Sequence, residues 1–181
     1  MMSIPVMIIV AVVLLIAVIW SVKTINGFRE KEIRVQESLS GIEVALTKRY
    51  DMLTKLLDVS KGYMTHEKEL FTQVVNLRQG MNVRELKAAD EKISGISDQF
   101  FAVAENYPEL RSSEIFIELQ RGIRNVEETL QAARRAYNAS VTSYNTAIVI
   151  FPASILAGKR DAKEFFAADE AKKADVKMQF N

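Results

Sequence analysis

The chain opens on nineteen successive positions without a charge, Ile4 to Val22, and then changes to a pattern in which apolar residues return every three or four positions. A helix over the opening run is about 28 Å long, close to the ~30 Å hydrocarbon core of a bilayer. Ile4, Pro5, Val10, Leu14, Leu15 and Ile19 lie within it, and Trp20 and Val22 stand at its polar edge. An indole ring favours that membrane–water boundary. The pattern therefore predicts one transmembrane helix over residues 1–22. From Val22 to Gln79 it predicts one long amphipathic helix, with a stripe at Leu39, Ile42, Leu46, Tyr50, Leu53, Leu57, Met64, Phe71 and Val74. Steps of three and four are those of a bundle seam. The two fours from Ile42 to Leu46 to Tyr50 act as a stutter that locally unwinds a supercoil. Ser60 and Glu67 fall on the seam, so it is no strict zipper. Gly41 and Gly62 each weaken a helix interior by about 1 kcal/mol against Ala. Gly27 is a candidate hinge between span and domain.

Gly80 predicts a stop, and Asn82 with Glu85 three residues on resembles a capping box for a second helix. Its stripe is Leu86, Ala89, Ile93, Ile96, Phe100, Val103 and Tyr107, and Pro108 closes it. Residues Asn106 to Leu110 read as a loop with a packed aromatic. Ser112 or Ser113 is placed to cap a third helix, with Glu114 near its positive dipole end. The third stripe runs Phe116, Leu119, Ile123, Val126, Leu130, Ala133, Tyr137, Ser140, Tyr144 and Ile148, ending near Ile150 before Phe151-Pro152. Gly158 breaks the next stretch, and residues 164–180 predict a short terminal helix. Long helices joined by short loops lie antiparallel. The fold class is all-α: a single N-terminal transmembrane helix, then an antiparallel bundle of three long helices plus a short C-terminal helix. The domain boundaries are 1–22 for the anchor, 23–158 for the bundle and 159–181 for the tail.

Charge and composition narrow the function. Lys and Arg total 24 against 23 Asp and Glu, so the basic excess that releases counterions from nucleic acid is missing. With no Cys and one His, disulfides, thiolate catalysis and multi-His metal sites are excluded. A cleaved signal peptide calls for a positive start and a small-residue cleavage site. Here only the terminal amine is positive at the start, and Ile19-Trp20-Ser21-Val22-Lys23 is no small-residue cleavage site, which favours an uncleaved anchor. Lys23, Arg29, Lys31 and Arg34 follow the span closely. By the positive-inside rule they put the large domain in the cytoplasm, on a single-pass protein of the cell's inner membrane.

The segments Lys48-Arg49-Tyr50-Asp51-Met52-Leu53 and Lys61-Gly62-Tyr63-Met64-Thr65-His66-Glu67-Lys68-Glu69 resemble the first signature of LemA family proteins. Ala104-Glu105-Asn106-Tyr107-Pro108-Glu109-Leu110 resembles the second. The third is matched at Phe116, Leu119, Gln120, Glu127, Ala133-Arg134-Arg135, Tyr137-Asn138, Val141, Tyr144-Asn145-Thr146, Phe151-Pro152 and Leu156-Ala157-Gly158. Phe165-Phe166 matches an aromatic pair near the family's C-terminus. The resemblance covers about residues 25 to 180. The chain departs from it at Thr54-Lys55, where the family has Pro-Asn, at Ser154 for the usual Asn, and at Lys159-Arg160-Asp161 for a Gly-Phe stretch. The resemblance implies a bacterial, membrane-anchored helical bundle and carries no defined activity.

Few residues invite chemistry. His66-Glu67 begins a zinc-protease pattern, but the second His it needs four residues on is Leu70. A helix-surface contact is the simpler reading. Glu127, Gln131, Arg134, Asn138 and Asn145 form a polar stripe beside the third seam, and Arg49, Asp51, Lys61 and Glu67 on the first helix can face it. Such a stripe is either a site in the interhelical groove or, the commoner use, a buried network that fixes helix register. Arg134 with Glu127 is the leading pair. Tyr50, Tyr137 and Tyr144 read as core residues whose hydroxyls reach an edge. Asp169, Glu170, Lys172 and Lys173 read as a solvated face. No cofactor is expected.

The functional expectation is a non-enzymatic protein that acts by association. It would be a self-associating scaffold or envelope organiser whose partners are the lipid bilayer and further copies of itself. Ile33, Val35, Val44, Leu56, Val59, Leu70 and Val75 exceed the number that one seam buries and argue for extra helix contacts. The alternative is a regulatory adaptor of a membrane protein partner, such as an envelope protease or sensor. An enzyme is the least supported reading, because the residue types for chemistry are nearly absent.

Overall fold

The computed structural model describes residues 4–63 and 83–166, and every regular element among them is helical. Helix α1 runs Ile4–Ser60, α2 Val83–Ala104, α3 Pro108–Ser112, α4 Glu114–Val149 and α5 Ser154–Ala157. The chain is all-α, with one long apolar N-terminal helix. Its apolar end is long enough to cross a membrane by length and composition, and its side chains from Ile4 to Ile19 stand exposed.

Two compact units divide the chain. One comprises Met1–Ser38 and Tyr137–Phe165, the other Leu39–Ala136 and Phe166–Asn181. Helices α1 and α4 contribute to both.

In the second unit the core is built from the predicted stripes. Ile42, Leu46, Leu53 and Leu57 of α1 are buried, as are Leu86, Ala89, Ile93, Ile96 and Phe100 of α2 and Phe116, Ile123, Val126 and Leu130 of α4. Helix α4 runs against α1, since Arg49 meets Glu127 and Met52 meets Gly122. It also runs against α2, since Asp90 meets Arg134 and Phe100 meets Phe116. The described parts of α1 and α2 therefore point the same way, with α4 antiparallel to both, and not each helix antiparallel to the next as expected, since α1 ends at Ser60 and no short loop joins it to α2; residues 64–82 between them lie outside the described residues.

Several boundaries differ from expectation. Helix α1 stops at Ser60, not near Gln79. Ser60 is fully buried and its hydroxyl donates back to the Leu56 carbonyl at 2.7 Å. The Tyr63 amide then closes a turn onto the Ser60 carbonyl at 2.9 Å. A back-bonding serine and Gly62 just after it weaken helix propagation at the same place. At the other end no break follows the apolar run, because α1 continues through Gly27. Pro108, expected to close the second helix within a loop, instead opens the short helix α3. Its ring suits a first helical position, where the amide would be unpaired anyway. Leu110 of α3 is fully buried. Ser113 is the cap of α4, accepting a hydrogen bond from the Phe116 amide at 3.3 Å. The expected stop at Gly80, the cap at Asn82, the polar residues His66 and Glu67, the positions Met64, Leu70, Phe71, Val74 and Val75, and the terminal helix beyond Phe166 all lie outside the described residues.

In the first unit Phe28, Val35, Tyr137, Val141, Tyr144, Ile148 and Ala157 make the core. After α5 the chain turns back at Gly158, with φ 61° and ψ −131°. That conformation is nearly reserved for residues without a β-carbon. The returning segment docks on α1 and α4. Arg160 lies over the Phe28 ring at 5.0 Å. Lys163 pairs with Glu32 at 2.7 Å. Asn145 holds the Lys163 backbone from both sides, donating to its carbonyl at 2.9 Å and accepting from its amide at 2.8 Å. The Tyr137 hydroxyl donates to the Glu164 carbonyl at 2.9 Å.

This clasp has a pH signature. The hydrogen bond to Glu32 is the chief cause that raises the Lys163 ammonium above its ordinary pKa. Burial, with the Glu164 charge adding and Lys163 opposing, raises the Tyr137 phenol. In both groups the folded state holds its proton more tightly than the unfolded chain. Their contribution is complete below the unfolded values of about 10 and is lost as pH rises through the folded ones. The melting temperature of the full chain in detergent should therefore fall above about pH 10. Lys163→Met combined with Tyr137→Phe should flatten that fall. An identical alkaline slope in the double variant would mean that the clasp adds nothing to stability.

Candidate functional site

The second unit encloses a cluster of charges contributed by three helices. Arg49 projects from α1 among Ala45, Leu46 and Leu53, and it is 7% exposed. Its guanidinium reaches Asp90 of α2, with Nη1 3.1 Å from Oδ1, and donates to the Ser94 hydroxyl at 3.1 Å. The Ser94 hydroxyl in turn donates to the Asp90 carbonyl at 2.9 Å. The other Asp90 oxygen takes Arg134 of α4. Glu127, two turns before Arg134, stands 3.1 Å from Arg49 Nη2 and accepts from Gln131 Nε2 at 3.2 Å. The Phe166 ring covers Arg134 at 5.4 Å from its guanidinium carbon, and the Lys87 ammonium approaches the same ring at 6.0 Å.

Two guanidinium and two carboxylate groups sum to no net charge. Burial of ions is strongly unfavourable unless they meet in good geometry, and the planar fork of Arg can serve two acceptors at once. Asp90 divides its two oxygens between two arginines on different helices, so it ties both α1 and α4 to α2. The cluster is incompletely satisfied. Arg49 Nε and Arg134 Nε are buried without a hydrogen-bond acceptor among the described residues, and Glu127 Oε2 meets Arg49 by charge without hydrogen-bond geometry. Such an arrangement is a poor source of net stability beside apolar residues of equal volume, and a good source of register.

The expected polar set is only partly gathered here. Arg49, Glu127 and Arg134 come together, but Arg134 takes Asp90 rather than Glu127. Asp90 and Ser94, which carry the connection, sit on the second helix, outside the polar stripes of the first and third. Lys61 pairs instead with Asp58 on the surface at 2.6 Å. Asn145 and Asn138 belong to the first unit, and Asn145 serves the clasp there. Glu67 lies outside the described residues.

Asp51 is exposed and lines a shallow groove of about 450 Å3 with Lys48, Met52 and Lys55 of α1 and Gly122, Asn125, Val126 and Thr129 of α4. Gly122 sets the depth of this groove. A β-carbon there would lie 3.3 Å from Met52 Sδ, so its absence lets the methionine lie against the α4 backbone.

The model of the LemA family matches residues 38–180. Among curated proteins the chain is similar to the Protein LemA of Metamycoplasma hominis, with 28% identity over 161 residues, covering 83% of this chain and 72% of that one. The matched region takes in Arg49, Asp90, Glu127 and Arg134, and the long apolar start of α1 lies ahead of it. On the extent of that match, the chain belongs to the LemA family.

Proposed function

We propose that this LemA family protein is a non-enzymatic, single-pass membrane protein whose helical bundle works by association, with its large domain in the cytoplasm. The observation that carries the reading is the continuity of α1. One helix without a break holds the exposed apolar residues from Ile4 onward and the buried positions Phe28, Val35 and Ile42. Among the described residues an apolar surface of that length has no partner, and a bilayer core supplies one of matching thickness. The buried charges of the bundle pair with one another around Asp90 and are not displayed in a cleft, which argues for a structural part.

Self-association is the first form of this reading, since helices held in one plane gain effective concentration for lateral contact. A specific observation keeps the adaptor in play. Val35 and Leu56, counted as surplus in the sequence, are buried inside the chain, while Ile33 and Val44 remain outside. Among the described residues the lateral apolar surface is smaller than expected, and the groove between α1 and α4 offers Lys48 and Lys55 to a different partner. Light scattering on the full chain purified in mild detergent separates the two. The scaffold predicts a single homogeneous oligomer. A strict monomer that retains another membrane protein from its host would overturn self-association in favour of the adaptor.

A further inference from the structure

Beyond the span itself, we propose that the turn closing α4 is a second membrane contact, a wedge that enters the lipid headgroup layer beside the anchor helix. This inference rests on the reading of Ile4 to Val22 as a membrane span. Val149, Ile150, Phe151 and Ile155 are 70%, 54%, 76% and 71% exposed. Four large apolar side chains within seven residues, all facing water, are a patch that soluble surfaces avoid. They sit in the same compact unit as the anchor.

The register places them at its base. Helix α4 runs against α1, and in this unit the Lys31 ammonium donates to the Ser143 hydroxyl at 2.8 Å. Trp20, at the edge of the apolar run, is about 16 Å back from Lys31 along α1 at 1.5 Å per residue. Val149 is about 9 Å beyond Ser143 in that same direction. Ile150, Phe151 and the short helix α5 come next, and Gly158 turns the chain back toward Phe28. The tip therefore stands within a few ångströms, by the same rise, of the level where the span leaves the hydrocarbon. Lys23 and Lys159 are exposed near that level and suit anionic headgroups. An apolar tip flanked by cations at headgroup depth has the character of an interfacial membrane contact. It would fix the azimuth and tilt of this unit at the membrane, which one transmembrane helix alone leaves free.

Trp20 is the chain's one tryptophan, which makes the test direct. The full-length protein, and the full-length double variant Trp20→Phe with Phe151→Trp, are reconstituted in vesicles of phosphatidylcholine and phosphatidylglycerol. Tryptophan emission is then read with and without lipids brominated high on the acyl chain. The wedge predicts that the indole introduced at the tip emits blue-shifted light and is quenched by the shallow bromine about as strongly as Trp20. Quenching of Trp20 with a water-exposed, unquenched indole at the tip overturns the wedge and leaves the anchor standing. A blue-shifted tip indole that bromine does not quench also overturns it, and assigns the tip to a second copy or another protein. Absence of quenching at both positions overturns the anchor reading, and the wedge with it.

Discussion

Asp90→Ala should destabilise the bundle by roughly 3–5 kcal/mol, the cost of leaving a buried charge without its partner. Arg134 loses this carboxylate at 12% side-chain exposure, and Arg49, 9% exposed, is left with Glu127. For a domain of this size each kcal/mol moves the melting temperature by about 2–8 °C, so circular dichroism of the full chain in detergent should show a drop of about 6 °C or more. Arg134→Ala should lower the melt by less, about several degrees, because Asp90 keeps Arg49. Replacing Arg49, Asp90, Glu127 and Arg134 together by apolar residues of similar size should restore most of the melting temperature. An unchanged melt in both Asp90→Ala and Arg134→Ala would deny the cluster a structural part and reopen it as a ligand site.

Phe100→Ala should cost a similar amount, about 3–5 kcal/mol, by a different route. The Phe100 side chain is fully buried, with ring centroids 5.6 Å from Phe101 and 6.3 Å from Phe116. Removing it leaves a cavity where α2 meets the start of α4, and Phe101 loses its edge contact with it. Denaturation by urea should show a lower midpoint with an unchanged slope. Phe101 is half-exposed in the same group, so Phe101→Ala should cost distinctly less. Equal losses for the two variants would mean that Phe100 is not the centre of this packing.

Most of the bundle was legible because it obeys one rule. On α2 and α4 the apolar residues recur at helical spacing, and nearly every stripe position on them is buried or half-buried. Periodicity reports which face turns inward, and the cap at Ser113 and the stop before Phe151-Pro152 followed from local chemistry. Periodicity does not report where a strong pattern is interrupted. The stripe of α1 continues in phase past Ser60, so the stop there rests on one serine hydroxyl and one glycine, each a minor weakness alone. Gly27 shows the reverse, since a permissive residue in a long helix need not be used as a hinge.

The polar cluster was half legible for a related reason. Arg49, Glu127 and Arg134 stand out as charges beside seams. Asp90 adjoins Ala89 and precedes Ile93, so it reads as the outer edge of an apolar face. A signal was present: Asp90, Ser94 and Ser97 recur at four and three, a polar row at seam spacing, and Asp90 and Ser97 are both buried. Which arginine takes which carboxylate depends on the lateral placement of three helices, which no single-helix pattern contains. The apparent surplus of apolar residues on α1 has the same origin. Val35 and Leu56 look spare when one seam is drawn, and they are buried once α1 has more than one neighbour.

One fractionation tests the proposed membrane anchor. Cell membranes are washed in alkaline carbonate, and the protein that remains is measured by intact mass. An uncleaved span predicts that the protein stays with the lipid at the mass of the whole 181-residue chain. Release into the wash, or a mature species that begins downstream of Trp20, would contradict it.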